Sequence, residues 1–179
     1  ELDKDDLNNY FKSLTLIDRQ LESSMIYFEP QDDDYTVSLP QGFKMPKGER
    51  SETDTDFGKV PTVMYSIENN SGACIFASTE YPNELFAEKT NDKILEDAMN
   101  GAVKSQDFIV LSKHYLMRDE HPGLSYVVKT KSKTNPIYIR YEYCVRSPKL
   151  YQVAYSTTTL KELNSPEVLN YFKSFELKK

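Results

Sequence analysis

The chain has no tryptophan, two histidines, two cysteines and six glycines among 179 residues. Each shortage closes off a class of chemistry. His114 and His121 have no metal-ligand partner at helical or hairpin spacing, so both are read as structural or surface histidines. No glycines form a phosphate-cradling array, which leaves nucleotide binding by a Gly-rich loop unsupported. Cys74 and Cys144 each fall in an expected strand and are read as free buried thiols, with the compartment undecided. A cysteine nucleophile would need a base, and Cys144 with His114 on a neighbouring strand is the pairing to check. Glu52, Asp54, Asp56 and Gly58 look like part of a calcium loop, but the glycine is misplaced and Val63 stands where the chelating glutamate belongs. No catalytic residue, metal or cofactor is therefore expected.

Positive charge is short as well. The net charge is −6, against the phosphate neutralisation on which nucleic-acid binding rests. The one basic cluster, Lys129, Lys131 and Lys133, reads as a solvated hairpin tip. No apolar run approaches the length of a membrane span. What the chain does have is 39% hydrophobic residues, thirteen of its residues being tyrosine. At this length a single domain buries about 70% of its unfolded surface and needs no covalent staples.

The clearest local pattern lies near the C-terminus. Tyr151, Val153 and Tyr155 alternate with Gln152, Ala154 and Ser156, the period of a strand. Ser165 is a good N-cap and Pro166 suits the first helical position, where its missing N–H costs nothing. Val168, Leu169 and Phe172 then make one apolar stripe on a helix too short to stand alone. It must lie on something, most simply the sheet containing Leu150–Ser156. A closing strand ends at Leu177.

This block is echoed near the other end. Asn9-Tyr-Phe-Lys-Ser-Leu-Thr-Leu16 matches Asn170-Tyr-Phe-Lys-Ser-Phe-Glu-Leu177 at six of eight positions. Self-similarity of this kind points either to repetition or to a coincidence between two amphipathic helices, and repetition is the sharper reading. Residues 1–16 are accordingly expected to be the tail of a preceding copy, 17–34 a linker with an acidic turn at Asp32-Asp33-Asp34, and 35–179 the domain.

Within that domain, Tyr35–Pro40 alternates as a short strand, and Gln41–Lys59 is expected as a polar loop. Val60–Glu68 and Ala73–Tyr81 should pair across Asn69-Asn-Ser-Gly72, which is strong turn chemistry. Ile94, Leu95, Ala98, Met99, Ala102 and Val103 give a broad helical stripe, capped by Thr90 or Asn91. Phe108–Met117, Leu124–Lys131 and Ile137–Val145 follow as strands, turning at His121-Pro-Gly123 and Lys133–Pro136. The order β-β-β-α-β-β-β-β-α-β is that of an α+β fold.

Tyr35–Pro40, Ile75–Pro82, Ile94–Val103, His121–Tyr126, Lys149–Ala154 and Tyr171–Leu177, in this order, resemble a PsbP-like domain, of the superfamily that also holds the Ran-binding Mog protein. The resemblance covers roughly residues 27–179. It implies a central antiparallel β-sheet flanked by helices, an α/β/α sandwich, and it extends to bacterial members of unassigned function, many of them exported. The plant members serve photosystem II and the Mog protein binds a GTPase. No functional residue of either matches a position here, and fold does not carry function with it.

A surface remains. On Ile137–Val145, Ile139, Tyr141 and Tyr143 share one face while Arg140, Glu142 and Cys144 share the other, which Tyr138 and Gln152 could join. Tyr138, Arg140, Glu142 and Gln152 are thus the candidate binding residues. The competing reading is that Arg140 and Glu142 pair with each other beneath a helix edge. The functional expectation is a non-catalytic binding or scaffold module, outside the cytoplasm and repeated in tandem, recognising a protein or envelope component. The alternative is a small-molecule carrier with a cleft between sheet and main helix. A flat exposed tyrosine patch would favour the first, a deep pocket the second.

Overall fold

The alternation at the C-terminal end builds the middle of a seven-stranded antiparallel sheet. In a computed structural model, which describes residues 25–31, 33–55 and 58–178, its strands are β3 (Lys47–Thr55), β4 (Gly58–Glu68), β5 (Ala73–Glu80), β6 (Ile109–Arg118), β7 (His121–Lys129), β8 (Tyr138–Arg146) and β9 (Lys149–Thr157). They lie side by side in the order β3-β4-β5-β9-β8-β7-β6. A second sheet of three short strands, β1 (Ile26–Phe28), β2 (Tyr35–Leu39) and β10 (Glu176–Leu177), has β2 in its centre. Four helices complete the described chain: α1 (Asn83–Glu88), α2 (Asn91–Ser105), α3 (Leu160–Leu163) and α4 (Pro166–Lys173). The class is α+β.

Each face of the large sheet carries its own core. On one, Ile94, Leu95 and Met99 of α2 pack with Leu124, Tyr126, Tyr141, Tyr143 and Val145. The aliphatic side of the main helix thus presses on the sheet as its spacing predicts. Thr90 caps it, its hydroxyl accepting from the Lys93 N–H at 3.3 Å. On the other face, Phe76, Tyr151, Val153 and Tyr155 meet Val168, Tyr171 and Phe172 of α4 and Tyr35, Val37 and Leu39 of β2. The second covering layer is therefore mixed, a small sheet together with α3 and α4, where helices alone were expected. Ser165 and Pro166 start α4 as read, with the Ser165 hydroxyl accepting from Val168 N–H. Tyr171 takes the buried place expected of Leu169, which is only half-buried.

The Asn69–Gly72 hairpin forms as its residues predict. The Asn69 side-chain oxygen accepts from the N–H groups of Ser71 and Gly72, at 2.8 and 3.1 Å. Glycine is required at 72 because a Cβ there would lie 2.3 Å from the Ser156 carbonyl oxygen. The turn expected at His121-Pro-Gly123 falls two residues earlier. Asp119 and Glu120 take positive φ (48° and 67°), and His121 already pairs with Arg118.

Two expectations about the N-terminal half need correction. Lys47–Thr55 is a strand, paired residue for residue with β4, rather than loop. Its residues are almost all exposed, so neither face imposes the alternation by which strands are recognised. The described part of the linker also belongs to the packed unit. β1 pairs with β2, and Phe28 packs 5.1 and 5.3 Å (ring centroids) from Tyr65 and Phe76. Buried Asp33 accepts from Lys149 Nζ at 2.9 Å, and Asp34 accepts from the Tyr151 hydroxyl at 2.7 Å and pairs with Arg146. The repeat tail expected at residues 1–16 lies outside the described residues.

Candidate functional site

Register decides which of the four candidate residues meet. Tyr138, Arg140 and Glu142 alternate along β8 and share the α4 face. Gln152 lies opposite Tyr143 and so faces α2. The expected constellation is therefore split between the two sides of the sheet.

On the α4 side, Glu142 sits between two arginines. Arg140 Nη2 donates to Glu142 Oε1 at 2.6 Å and Arg118 Nη2 to Oε2 at 2.7 Å. Glu142 is only 7% exposed. The Arg140 guanidinium stacks 4.6 Å from the centre of the Phe172 ring. Tyr138 packs against the same core at its edge. This is the competing reading made concrete, with a second arginine that its distance in sequence had hidden. Both arginines are spent on Glu142 beneath a helix, and a fifth or less of each side chain is exposed. The tyrosines follow suit: Tyr35, Tyr126, Tyr141, Tyr143, Tyr151, Tyr155 and Tyr171 are all buried, and no flat tyrosine patch is formed by them.

The chemistry that His114 and Cys144 could have shared does not assemble. His114 on β6 faces Ser125 on β7, which faces Glu142 on β8, so Cys144 lies two strands away and one pleat repeat along. Two strand spacings are about 9.6 Å, beyond hydrogen-bond reach. Burial pushes the Cys144 thiol up to about 12, and raises that of Cys74 as well. Since the thiolate is the reactive form, both cysteines should resist Ellman's reagent in native protein at pH 8. Two thiols per chain should appear only on denaturation; rapid native labelling of either would contradict their burial. Glu52 and Asp54 project from a strand rather than a loop, and no acidic, histidine and cysteine cluster suited to a metal occurs among the described residues.

An open site lies on the α2 side. The helix rests chiefly on β7 and β8, and a space lies open beside it over β4 and β5. Long two-stranded ribbons twist strongly, and the β3–β4 hairpin brings Thr53, Asp54 and Thr55 to the far wall. Between helix and hairpin is a cleft of about 620 Å³. Met64 of β4, Ala77 of β5 and Leu150 of β9 form its floor, with Gln152 and Tyr143 on their flank. Leu85 of α1 and Ile94, Ala98, Gly101 and Ala102 of α2 form the near wall. Ala98 packs against the core as its spacing predicts and also lines this space, as does Ala102.

Polar groups enter the cleft in an ordered way. Thr53 and Thr62 join hydroxyls at 2.7 Å, and Thr62 and Thr79 at 3.1 Å, making a ladder across three strands. At the mouth Asp97 accepts from Lys89 at 2.7 Å and Lys93 at 2.6 Å, and these ammonium groups hold its carboxyl below the usual carboxylate range. A cleft between sheet and main helix is the alternative the sequence suggests, but its threonine lining is not legible there, because the ladder needs β3 as a strand. Had 47–55 been paired with 58–68, Thr53 and Thr62 would have been neighbours on paper.

Comparison with solved structures follows from this geometry. The solution structure of cyanobacterial PsbP from Synechocystis is similar over 86% of this chain and 92% of its own, with 13% identity and a TM-score of 0.59. The fold is PsbP-like. A protein of unknown function from Pseudomonas aeruginosa is similar over 78% of this chain and 85% of its own, at 9% identity and a TM-score of 0.43. No family model matches the sequence, and no curated protein matches it. At such identity the PsbP-like likeness speaks for the architecture alone. The ladder and cleft are argued from this chain's own residues.

Proposed function

We propose that this PsbP-like chain is a non-catalytic binding module whose ligand seat is the cleft between the sheet and α2. One observation carries the reading: a cleft of about 620 Å³ with an apolar floor and a few convergent polar groups. That is the size and make-up of small-molecule sites, which run about 300–1,000 Å³. The alternative in which four polar residues recognise a protein surface loses its support, since Arg140 and Glu142 are spent on each other and Gln152 lies across the sheet. The role of the buried ion cluster is then to fix α4 against the sheet.

Gly101 provides the test. It lies in the interior of α2 and lines the cleft, and a Cβ built on it meets nothing within 4 Å. Glycine in a helix interior costs about 0.5–1 kcal/mol relative to alanine, and no close packing demands it here. Gly101→Leu should raise Tm by about 1–4 °C while its side chain projects into the seat. The neutral dye N-phenyl-1-naphthylamine should bind wild-type protein saturably and the variant at least about fivefold more weakly, from loss of the apolar room it would fill. Equal dye binding by both proteins would refute the cleft as the seat.

A further inference from the structure

The chemistry of the walls narrows what the cleft can take. Resting on the reading of this cleft as the ligand seat, we infer that its ligand is an uncharged amphiphile: an aliphatic or ring body carrying a hydroxylated head.

The argument starts from charge. The mouth holds Lys89, Lys93 and Asp97, already bound to one another, and Asp54 stands on the hairpin wall. Counting Lys93, which holds Asp97 from just outside the lining, two cations stand beside two anions among the described residues, so neither sign is in clear surplus there. An ion entering past the mouth would give up water beside charges that are already committed to one another, which is costly. The ladder offers something different. Three hydroxyls have three donors, and the two bonds among Thr53, Thr62 and Thr79 consume two of them. One donor and several lone pairs stay available, and chained hydroxyls polarise one another. A ligand hydroxyl can therefore accept at one end of the ladder or donate along it. The Gln152 amide adds a neutral group able to do both. Met64, Ala77, Leu150 and Ile94 give the body of such a molecule an apolar surface to leave water against.

Orientation follows from the layout. The ladder runs from β3 through β4 to β5, while Ile94, Ala98 and Ala102 face it from α2, so the head should turn toward the ladder and the body lie under α2.

A matched-chain series tests this with octyl β-D-glucoside, octanoate and octylammonium, each as monomer, and free glucose as a head without a body. Binding is read from ¹H–¹³C methyl and ¹H–¹⁵N shifts. The glucoside should saturate with a Kd on the order of 0.1 mM, as expected for a molecule of its size at modest efficiency. The largest shifts should fall on the methyls of Thr62, Thr79, Ala98 and Met64. Octanoate and octylammonium should bind at least tenfold more weakly, and glucose should not shift these signals. Thr62→Val keeps the shape and removes the middle hydroxyl; it should weaken glucoside binding by roughly two- to tenfold, the worth of one hydrogen bond. An ionic chain binding as well as the glucoside would overturn the uncharged class while leaving the seat in place. A Thr62→Val variant that binds the glucoside unchanged would overturn recognition by the ladder. Failure of all three chains to shift the cleft methyls, or equal shifts in Gly101→Leu, would overturn the seat itself.

Discussion

Replacing Glu142 by alanine should lower the unfolding free energy by about 3–5 kcal/mol, the loss expected when one member of a buried ion cluster is removed. The cost arises because Arg118 and Arg140 then face each other without the carboxylate that both now contact, at 2.7 and 2.6 Å. Arg140 Nε already has no partner among the described residues, so that guanidinium has little else to turn to. A loss of this size is a third or more of the roughly 5–15 kcal/mol by which domains are stable. Urea midpoints for Glu142→Ala and Glu142→Gln measure it, the glutamine keeping the shape and discarding the charge. Replacing Arg118, Glu142 and Arg140 together by apolar residues of similar volume should restore much of what either single change removes, because paired charges and apolar packing are nearly equivalent inside a protein. A Glu142→Ala variant within 1 kcal/mol of the parent protein would mean that water reaches the site and that α4 does not seal it.

Phe172→Ala is expected to cost about 3–5 kcal/mol, the range for truncating a buried aromatic. Phe172 is among the largest fully enclosed side chains and lies 5.1 Å, ring to ring, from Tyr171. It is also the ring on which Arg140 stacks. Its loss should therefore combine non-additively with Arg140→Met, whereas Leu95→Ala, on the other face of the sheet, should add to Phe172→Ala within about 0.5 kcal/mol. Thermal or urea unfolding of the single and double variants decides the matter. Additivity with Arg140→Met would show that the stack contributes nothing.

What could be read from the chain without coordinates follows a simple division. Segments with one buried side announce themselves: Tyr151, Val153 and Tyr155 alternate because every second residue enters the core, and the α2 stripe repeats because one side of it does. Segments with two wet sides do not. β3 carries Lys47, Glu49, Arg50, Glu52 and Asp54, all poor in strand preference, and is held in place by its partner. With it went the threonine ladder and the far wall of the cleft. Arg118 was missed for another reason. Its partnership with Glu142 spans β7 and depends on register, which the displaced turn at Asp119–Glu120 sets. Arg140 and Glu142 were legible as a pair because they are two residues apart on one strand. Gln152 was misplaced because parity along β9 cannot be matched to parity along β8 until Tyr143 is seen opposite it.

The strand order has an effect on how the molecule comes together. β3, β4 and β5 are one local meander and β6 to β9 another, and a single junction, from Ala73–Ser156 to Glu80–Lys149, fuses them. Each meander can zip from its own hairpins, but closing that seam must wait until Lys149–Ser156 has been made, about seventy residues after β5, and it carries the loop-closure entropy of distant pairing. A chain emerging from the ribosome therefore holds two half-sheets with raw edges at β5 and β8 until β9 arrives to stitch both.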